Sequence, residues 1–178
     1  MVQEAKLEER PGGLKPAGEG WFVVNAREAQ WIHNEKFGAG ATFEGEPDFA
    51  QLGVNVQVIW PGQPNGYYHR EDYQEDFLIL SGECLLLIEG EERRLRAWDF
   101  VHCPPNTEHI LVGAGEGPCA FVGIGARRAG EYSVVYPVSD VALRHEAGVS
   151  EETTSADTAY AGCPPTTPGP YAGGLPGD

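Results

Sequence analysis

Between residues 52 and 126 the chain is a succession of apolar runs, each too short for an ordinary helix and each closed by turn-forming residues. The run LGVNVQVIW (52 to 60) alternates Val54, Val56, Val58 and Trp60 with Asn55 and Gln57, the period-two pattern of a half-buried strand. PGQPNG (61 to 66) breaks it. DFLILSGE and CLLLIEGEERRLRAW then read as a strand, a Ser-Gly-Glu turn, a second strand, an EGEE hairpin turn and a third strand. DFVHCPP, HILVG and CAFVGIGA supply three more, and EYSVVYPV (131 to 138) a last one. Only NAREAQWIHNEKF (25 to 37) and residues 139 to 145 have room for a short helix or turn. Many short strands without crossover helices exclude a parallel α/β fold and predict an all-β barrel or sandwich.

At 178 residues the chain is long enough for one domain with a real core and too short for two of ordinary size. Composition predicts three parts: a flexible N-terminal segment over 1–20, the β domain over 21–149, and a disordered, acidic, Gly/Pro-rich tail over 150–178. No Lys or Arg follows Arg144. The net charge of −15, from 12 basic and 27 acidic residues, argues against nucleic acid or an anionic membrane as partner. A small molecule, a metal cation or another protein remains. The opening MVQEAKLEER carries acids where a signal peptide has basic and then apolar residues, so the expected location is the cytoplasm. The four cysteines, Cys84, Cys103, Cys119 and Cys163, form no C-x-x-C pair and read as reduced thiols, mostly buried in strands.

One stretch does not fit a plain strand end. In NGYYHREDYQEDFLILSGE (65 to 83), His69, Glu71, Asp72, Glu75 and Asp76 crowd against an apolar run. On a strand His69 and Glu71 share a face, pointing together into the barrel or out of it. Glu75 follows four residues later, and PPNTEH ends on His109, 34 residues after Glu75. Two imidazoles and two carboxylates meeting at one point would suit a divalent transition metal; an exposed pair at a strand end is the plain alternative.

The residues from Gly62 to Gly82 resemble the first motif of the cupin superfamily: a glycine, H-x-H, three or four residues, Glu, six residues and Gly. His69 matches the first histidine, Glu75 the glutamate and Gly82 the closing glycine. The second motif, P-x-G-x-x-H with Asn after three further residues, resembles Pro104, Asn106, His109 and Gly113. The likeness covers about residues 50 to 125 and implies a double-stranded β-helix, or jelly-roll, barrel. Glu71 stands in place of the second histidine, Asn106 in place of the motif glycine and Gly113 in place of asparagine, and Gly62 is one residue further from His69 than the pattern has it. Asn tolerates positive φ, so Asn106 should keep the turn.

The resemblance implies a metal site of His69, Glu75 and His109, with Glu71 as a candidate fourth ligand, holding one divalent ion such as Fe, Mn, Ni or Zn. With Glu71 off the metal, the remaining set resembles the two-His-one-carboxylate triad of non-haem iron oxygenases, and Glu71 becomes the catalytic general base. The function implied is a metal-dependent enzyme of oxygenase, isomerase or decarboxylase type acting on a small polar organic molecule. The alternative is a non-catalytic cupin module that binds a small ligand or a metal. An exposed barrel edge leaves a homodimer open. Elsewhere His33 and His145 read as surface residues, His102 as a hydrogen-bonded core histidine, and Arg93, Arg94 and Arg96 as solvent-facing. Trp60, Tyr67, Tyr68 and Trp98 read as packing residues.

Overall fold

The computed structural model describes residues 1–127 and 132–178, so the start of the expected 131–138 strand lies outside the described residues. In chain order the strands are β1 (Lys6–Arg10), β2 (Gly13–Ala17), β3 (Trp31–Asn34), β4 (Gly38–Thr42), β5 (Leu52–Ile59), β6 (Arg70–Glu71) and β7 (Glu75–Ser81). They continue with β8 (Glu83–Ile88), β9 (Glu91–Arg96), β10 (Phe100–Cys103), β11 (His109–Ala114), β12 (Cys119–Ala126) and β13 (Val134–Val135). Two short helices, α1 (Asp140–Arg144) and α2 (Ala156–Ala159), and strand β14 (Thr167–Gly169) complete the chain. The fold is all-β, a barrel of antiparallel strands.

A seven-stranded sheet, ordered β10-β7-β12-β5-β4-β3-β14, packs on a three-stranded sheet, β11-β8-β9. Both contribute inward residues to one core: Ile59, Phe77, Ile79 and Phe121 from the larger sheet meet Cys84, Leu86 and Leu111 from the smaller. Alternation then sends the neighbouring residues outward, and each outer face has its own cover. Outside the small sheet, Leu87, Ile110 and Val112 are covered by Val141 and Ala142 of α1. Ser139 starts that helix by accepting a hydrogen bond from the Ala142 N–H. On the outer face of the large sheet, Val56, Val58 and Ala120 pack with Trp31 and Leu175.

Those covers correct the expectation of loose ends. Residues 6–17 form a β-hairpin, and Leu14 bonds the backbone of Glu28 and Gln30. In the tail, β14 pairs with β3, Tyr171 packs on Trp31 with ring centroids 5.0 Å apart, and Leu175 is buried. Composition hid this because the tail offers few apolar residues, yet Tyr160, Tyr171 and Leu175 fill specific sites on the barrel. A glycine of the N-terminal hairpin lets the tail approach closely: a Cβ on Gly12 would lie 2.4 Å from the Gly169 carbonyl oxygen.

Other expectations change by a single fact of orientation. His102 lies on the outward parity of β10, exposed, with Nδ1 2.7 Å from Asp76, while Cys103 takes the buried face. Trp98 and Trp60 are exposed, at 76% and 48%, whereas Tyr67 and Tyr68 are buried as expected. Residues 25–37 contain a turn and β3 rather than a helix, and 139–145 contains α1. Arg93, Arg94 and Arg96 are solvent-exposed. No helix among the described residues is long and apolar enough to cross a membrane.

Candidate metal centre

The site grows from a backbone bridge. His69, just before β6, and His109, the first residue of β11, are antiparallel partners, so their side chains leave on the same face. The turn that precedes β11 has Asn106 at φ 68°, the left-handed conformation expected of it, and the Asn106 N–H donates to the Glu71 carbonyl at 2.6 Å. Gly82 closes the first motif at φ 75°, with the Pro118 carbonyl oxygen 2.2 Å from where a Cβ would stand. Gly113 has a similar reason: the Trp60 carbonyl oxygen would be 2.1 Å from a Cβ there.

Glu75 opens β7 opposite Gly125 and Cys103. Its Oε2 lies 3.2 Å from His109 Nε2 and 3.5 Å from His69 Nε2, and one ligand atom from each of the three residues falls within 4.8 Å of the others. Each ring is turned by its other nitrogen. His69 Nδ1–H donates to the Tyr67 carbonyl at 2.7 Å and His109 Nδ1–H to the Thr107 carbonyl at 2.9 Å. Both Nε2 atoms are thereby aimed at Glu75, the arrangement in which a histidine presents a lone pair to a cation. Glu75 Oε2 and His109 Nε2 are buried and, though 3.2 Å apart, are not aligned to hydrogen-bond each other or any other group. Buried polar atoms left so are costly unless something else satisfies them, and a divalent ion would satisfy both. The residues present therefore fit a metal.

Without an ion the charges pair among themselves. Burial opposes an imidazolium at His69, but its bonds to Glu71 and Glu75 outweigh that and raise its pKa to about 9. At His109 burial is likewise outweighed, by the Cys103 thiol and Glu75, and the pKa rises to about 10. Burial works against the Glu75 carboxylate too, yet His109 and His69 hold it down at about 2.

Glu71 faces the same way as His69 but stands aside from the three-atom cluster. Its Oε1 is 3.5 Å from His69 Nε2 and accepts a hydrogen bond from the Tyr132 hydroxyl. Burial and the Glu71 carboxylate push the Tyr132 phenol well above its ordinary pKa.

These side chains line a cavity of about 600 Å³. It exists because the inward positions nearest the cluster on β5 and β12 are glycines, Gly53, Gly123 and Gly125; a Cβ at Gly125 would meet nothing within 4 Å. The polar half of the LGVNVQVIW alternation also faces this cavity, where Gln57 donates to Asn55 at 2.8 Å. Arg127 lines the wall as well, gripped by buried Glu44 at 2.9 Å and by the Phe49 carbonyl at 3.0 Å.

The sequence reading brought together His69, Glu75 and His109 and placed Glu71 beside them. It missed Tyr132, Arg127, Glu44 and the Asn55–Gln57 pair. The β5 alternation carried a signal for the last of these, since its polar face could line a cavity as well as meet water. Tyr132 and Glu44 lie outside the barrel strands and gave none.

The cupin domain family model matches residues 55–125, a span that contains all four of His69, Glu71, Glu75 and His109. Over that span the chain carries a cupin domain. No curated protein matches this cupin. Among solved structures it is similar to a sugar phosphate isomerase from Silicibacter pomeroyi (18% identity, 78% of this chain and 79% of that one, TM-score 0.51). It is also similar to the polyketide cyclase RemF from Streptomyces resistomycificus (13% identity, 72% and 78%, TM-score 0.48). A third is a putative sugar phosphate isomerase from Acidithiobacillus ferrooxidans (20% identity, 55% of this chain, TM-score 0.45); this cupin spans 64% of that protein's length.

Proposed function

We propose that this cupin is a metal-dependent enzyme that moves a proton on a small polar organic molecule held in the barrel. His69, Glu75 and His109 hold one divalent ion, and Glu71 is the general base. The observation that carries this reading is the position of Glu71: a carboxylate facing the cavity, next to the donor cluster but outside it, and steered by Tyr132. A divalent ion held there would polarise a substrate oxygen as a Lewis acid.

The protein's own groups supply the rest. The Tyr132 hydrogen bond occupies Glu71 Oε1, which leaves Oε2 to take a proton from a substrate carbon or hydroxyl. With Gln57 bonded to Asn55 Oδ1, Asn55 Nδ2 is left to donate and Gln57 Oε1 to accept, so the pair can orient hydroxyl or carbonyl groups. The glycines of β5 and β12 leave room for a molecule of a few carbon atoms.

Metal analysis of the purified protein, followed by solvent-deuterium exchange into small hydroxyaldehydes, hydroxyketones and 2-oxo acids, tests the reading. Exchange should need the metal, and Glu71→Gln should keep the metal while slowing exchange on the order of a hundredfold or more. Exchange that survives the substitution would remove Glu71 from the chemistry. Metal and ligand binding with no exchange or turnover would favour the non-catalytic module.

A further inference from the structure

Tyr67 is held at three points, and one of them orients a metal ligand. Its carbonyl accepts the His69 Nδ1–H at 2.7 Å. Its own N–H donates to the Tyr160 hydroxyl at 3.0 Å. Its hydroxyl accepts from Lys36 Nζ at 3.0 Å and lies 3.4 Å from Cys163 Sγ. The Tyr67 and Tyr160 rings are 5.0 Å apart. Tyr160 also meets Tyr136 edge-on at 5.8 Å, and Tyr136 lies 5.9 Å from the His69 ring.

Tyr160 and Cys163 belong to the C-terminal segment, just beyond α2, more than ninety residues from Tyr67. That segment reaches this place by its own local structure. Ser155 caps α2, accepting from the Thr158 N–H at 3.2 Å, and Thr153 exchanges backbone hydrogen bonds with Tyr136. The other ligand histidine needs no such help: the Thr107 carbonyl that holds His109 lies in a turn closed by its own bonds to the Pro104 carbonyl.

We propose that the C-terminal segment is part of the metal site at one remove, with Tyr160 a positioning residue that fixes the Tyr67 peptide and, through its carbonyl, the rotation of the His69 ring. This rests on the reading that His69, Glu75 and His109 hold a divalent ion. The physical reason is that a metal ligand whose partner hydrogen bond loosens must be ordered by the metal itself, which lowers affinity. Only the hydroxyl of Tyr160 can accept the Tyr67 N–H, so a phenylalanine keeps the ring contacts and removes the link.

The test is metal affinity, measured on full-length protein stripped with chelator and titrated with Zn²⁺ or Mn²⁺ against a competing chelator. Tyr160→Phe should weaken binding about 3- to 10-fold, toward the low end of the effect of losing a ligand's direct hydrogen-bond partner. Tyr171→Phe is the control, because the Tyr171 hydroxyl accepts the Leu175 N–H at 2.6 Å where the same segment docks onto Trp31, away from His69. It should lower the melting temperature of the metal-free protein and leave metal affinity unchanged. Unchanged affinity in Tyr160→Phe, or equal losses in both variants, would overturn the proposal and reduce the segment to a structural cover. His109→Ala separates the two claims: if it binds metal as well as the parent, the ligand assignment itself fails and takes this inference with it.

Discussion

His69 and His109 exchange backbone hydrogen bonds across one β-bridge, His109 N to His69 O at 2.9 Å and His69 N to His109 O at 3.2 Å, and their rings stand 5.2 Å apart. Residues forty positions apart in sequence are thus fixed side by side by the main chain, before any side-chain interaction is counted. The centre is preformed in its backbone, and its side chains are aimed by carbonyl groups two residues upstream of each histidine.

Because main-chain pairing and the apolar core build the barrel, loss of the imidazoles should cost metal before it costs the fold. The double variant His69→Ala, His109→Ala is expected to purify folded, with bound metal reduced to background by elemental analysis. An unfolded product by circular dichroism would show instead that the ion is structural.

The metal-free protein should have a stability maximum between about pH 4.5 and 6.5. Both histidines have folded pKa values above the ordinary 6.5, about 9 and about 10, so their contribution is complete below 6.5 and is lost as pH rises through 9 and 10. Glu75 is depressed from 4.5 to about 2, so its contribution is complete above 4.5 and is lost as pH falls through 2. Denaturant midpoints measured across pH in chelator will show the two slopes. An ion must displace both imidazolium protons, so metal affinity should rise by about a hundredfold per pH unit below 9. Calorimetry in buffers of different ionisation enthalpy should count two protons released per ion.

Glu71→His replaces a carboxylate with a neutral imidazole beside His69. If the new ring reaches the ion, nitrogen donors should shift preference from manganese toward nickel, copper or zinc. Elemental analysis after refolding in an equimolar metal mixture reads this directly. Glu71→Gln, isosteric and outside the three-donor cluster, should leave the metal profile unchanged; a changed profile would make Glu71 a ligand.

Removing residues 150–178 should destabilise the protein. It strips β14 from β3, uncovers Trp31 and deletes buried Leu175; fully burying one such side chain contributes roughly 1.5–3 kcal/mol. At about 2–4 °C per kcal/mol for a chain of this size, the melting temperature should fall by on the order of 10 °C. An unchanged value would mean that the segment does not hold to the barrel in solution.

Filling the cavity should separate ligand binding from metal binding. Gly125→Val adds a side chain where nothing lies within 4 Å, so the variant should fold and load metal normally while losing at least tenfold in affinity for any small ligand of the parent, by isothermal titration.

The sequence by itself determined the barrel and the core of its site. Period-two alternation settles which side chains face together on each strand, and turn residues settle where strands end. His69, Glu75 and His109 could therefore be placed on one inner wall from spacing and motif register alone. Asn106 could be placed in a left-handed turn for the same kind of reason, since φ preference is local. What only the tertiary structure decided is everything that depends on which segments meet. The polar face of β5 looked solvent-bound but lines the cavity, because its neighbour β12 puts glycines, Gly123 and Gly125, on the same inner face and leaves the space open. His102 looked buried and is exposed, because a strand's parity does not say which of its faces the core takes; Trp98 is exposed because it sits in the turn between β9 and β10, at φ 75°. The tail looked unfoldable, because its composition has too little apolar surface to form a core of its own. It needs none: Tyr160, Tyr171 and Leu175 pack into surfaces that the barrel provides, and a segment that borrows its core leaves no periodic signal in its own residues.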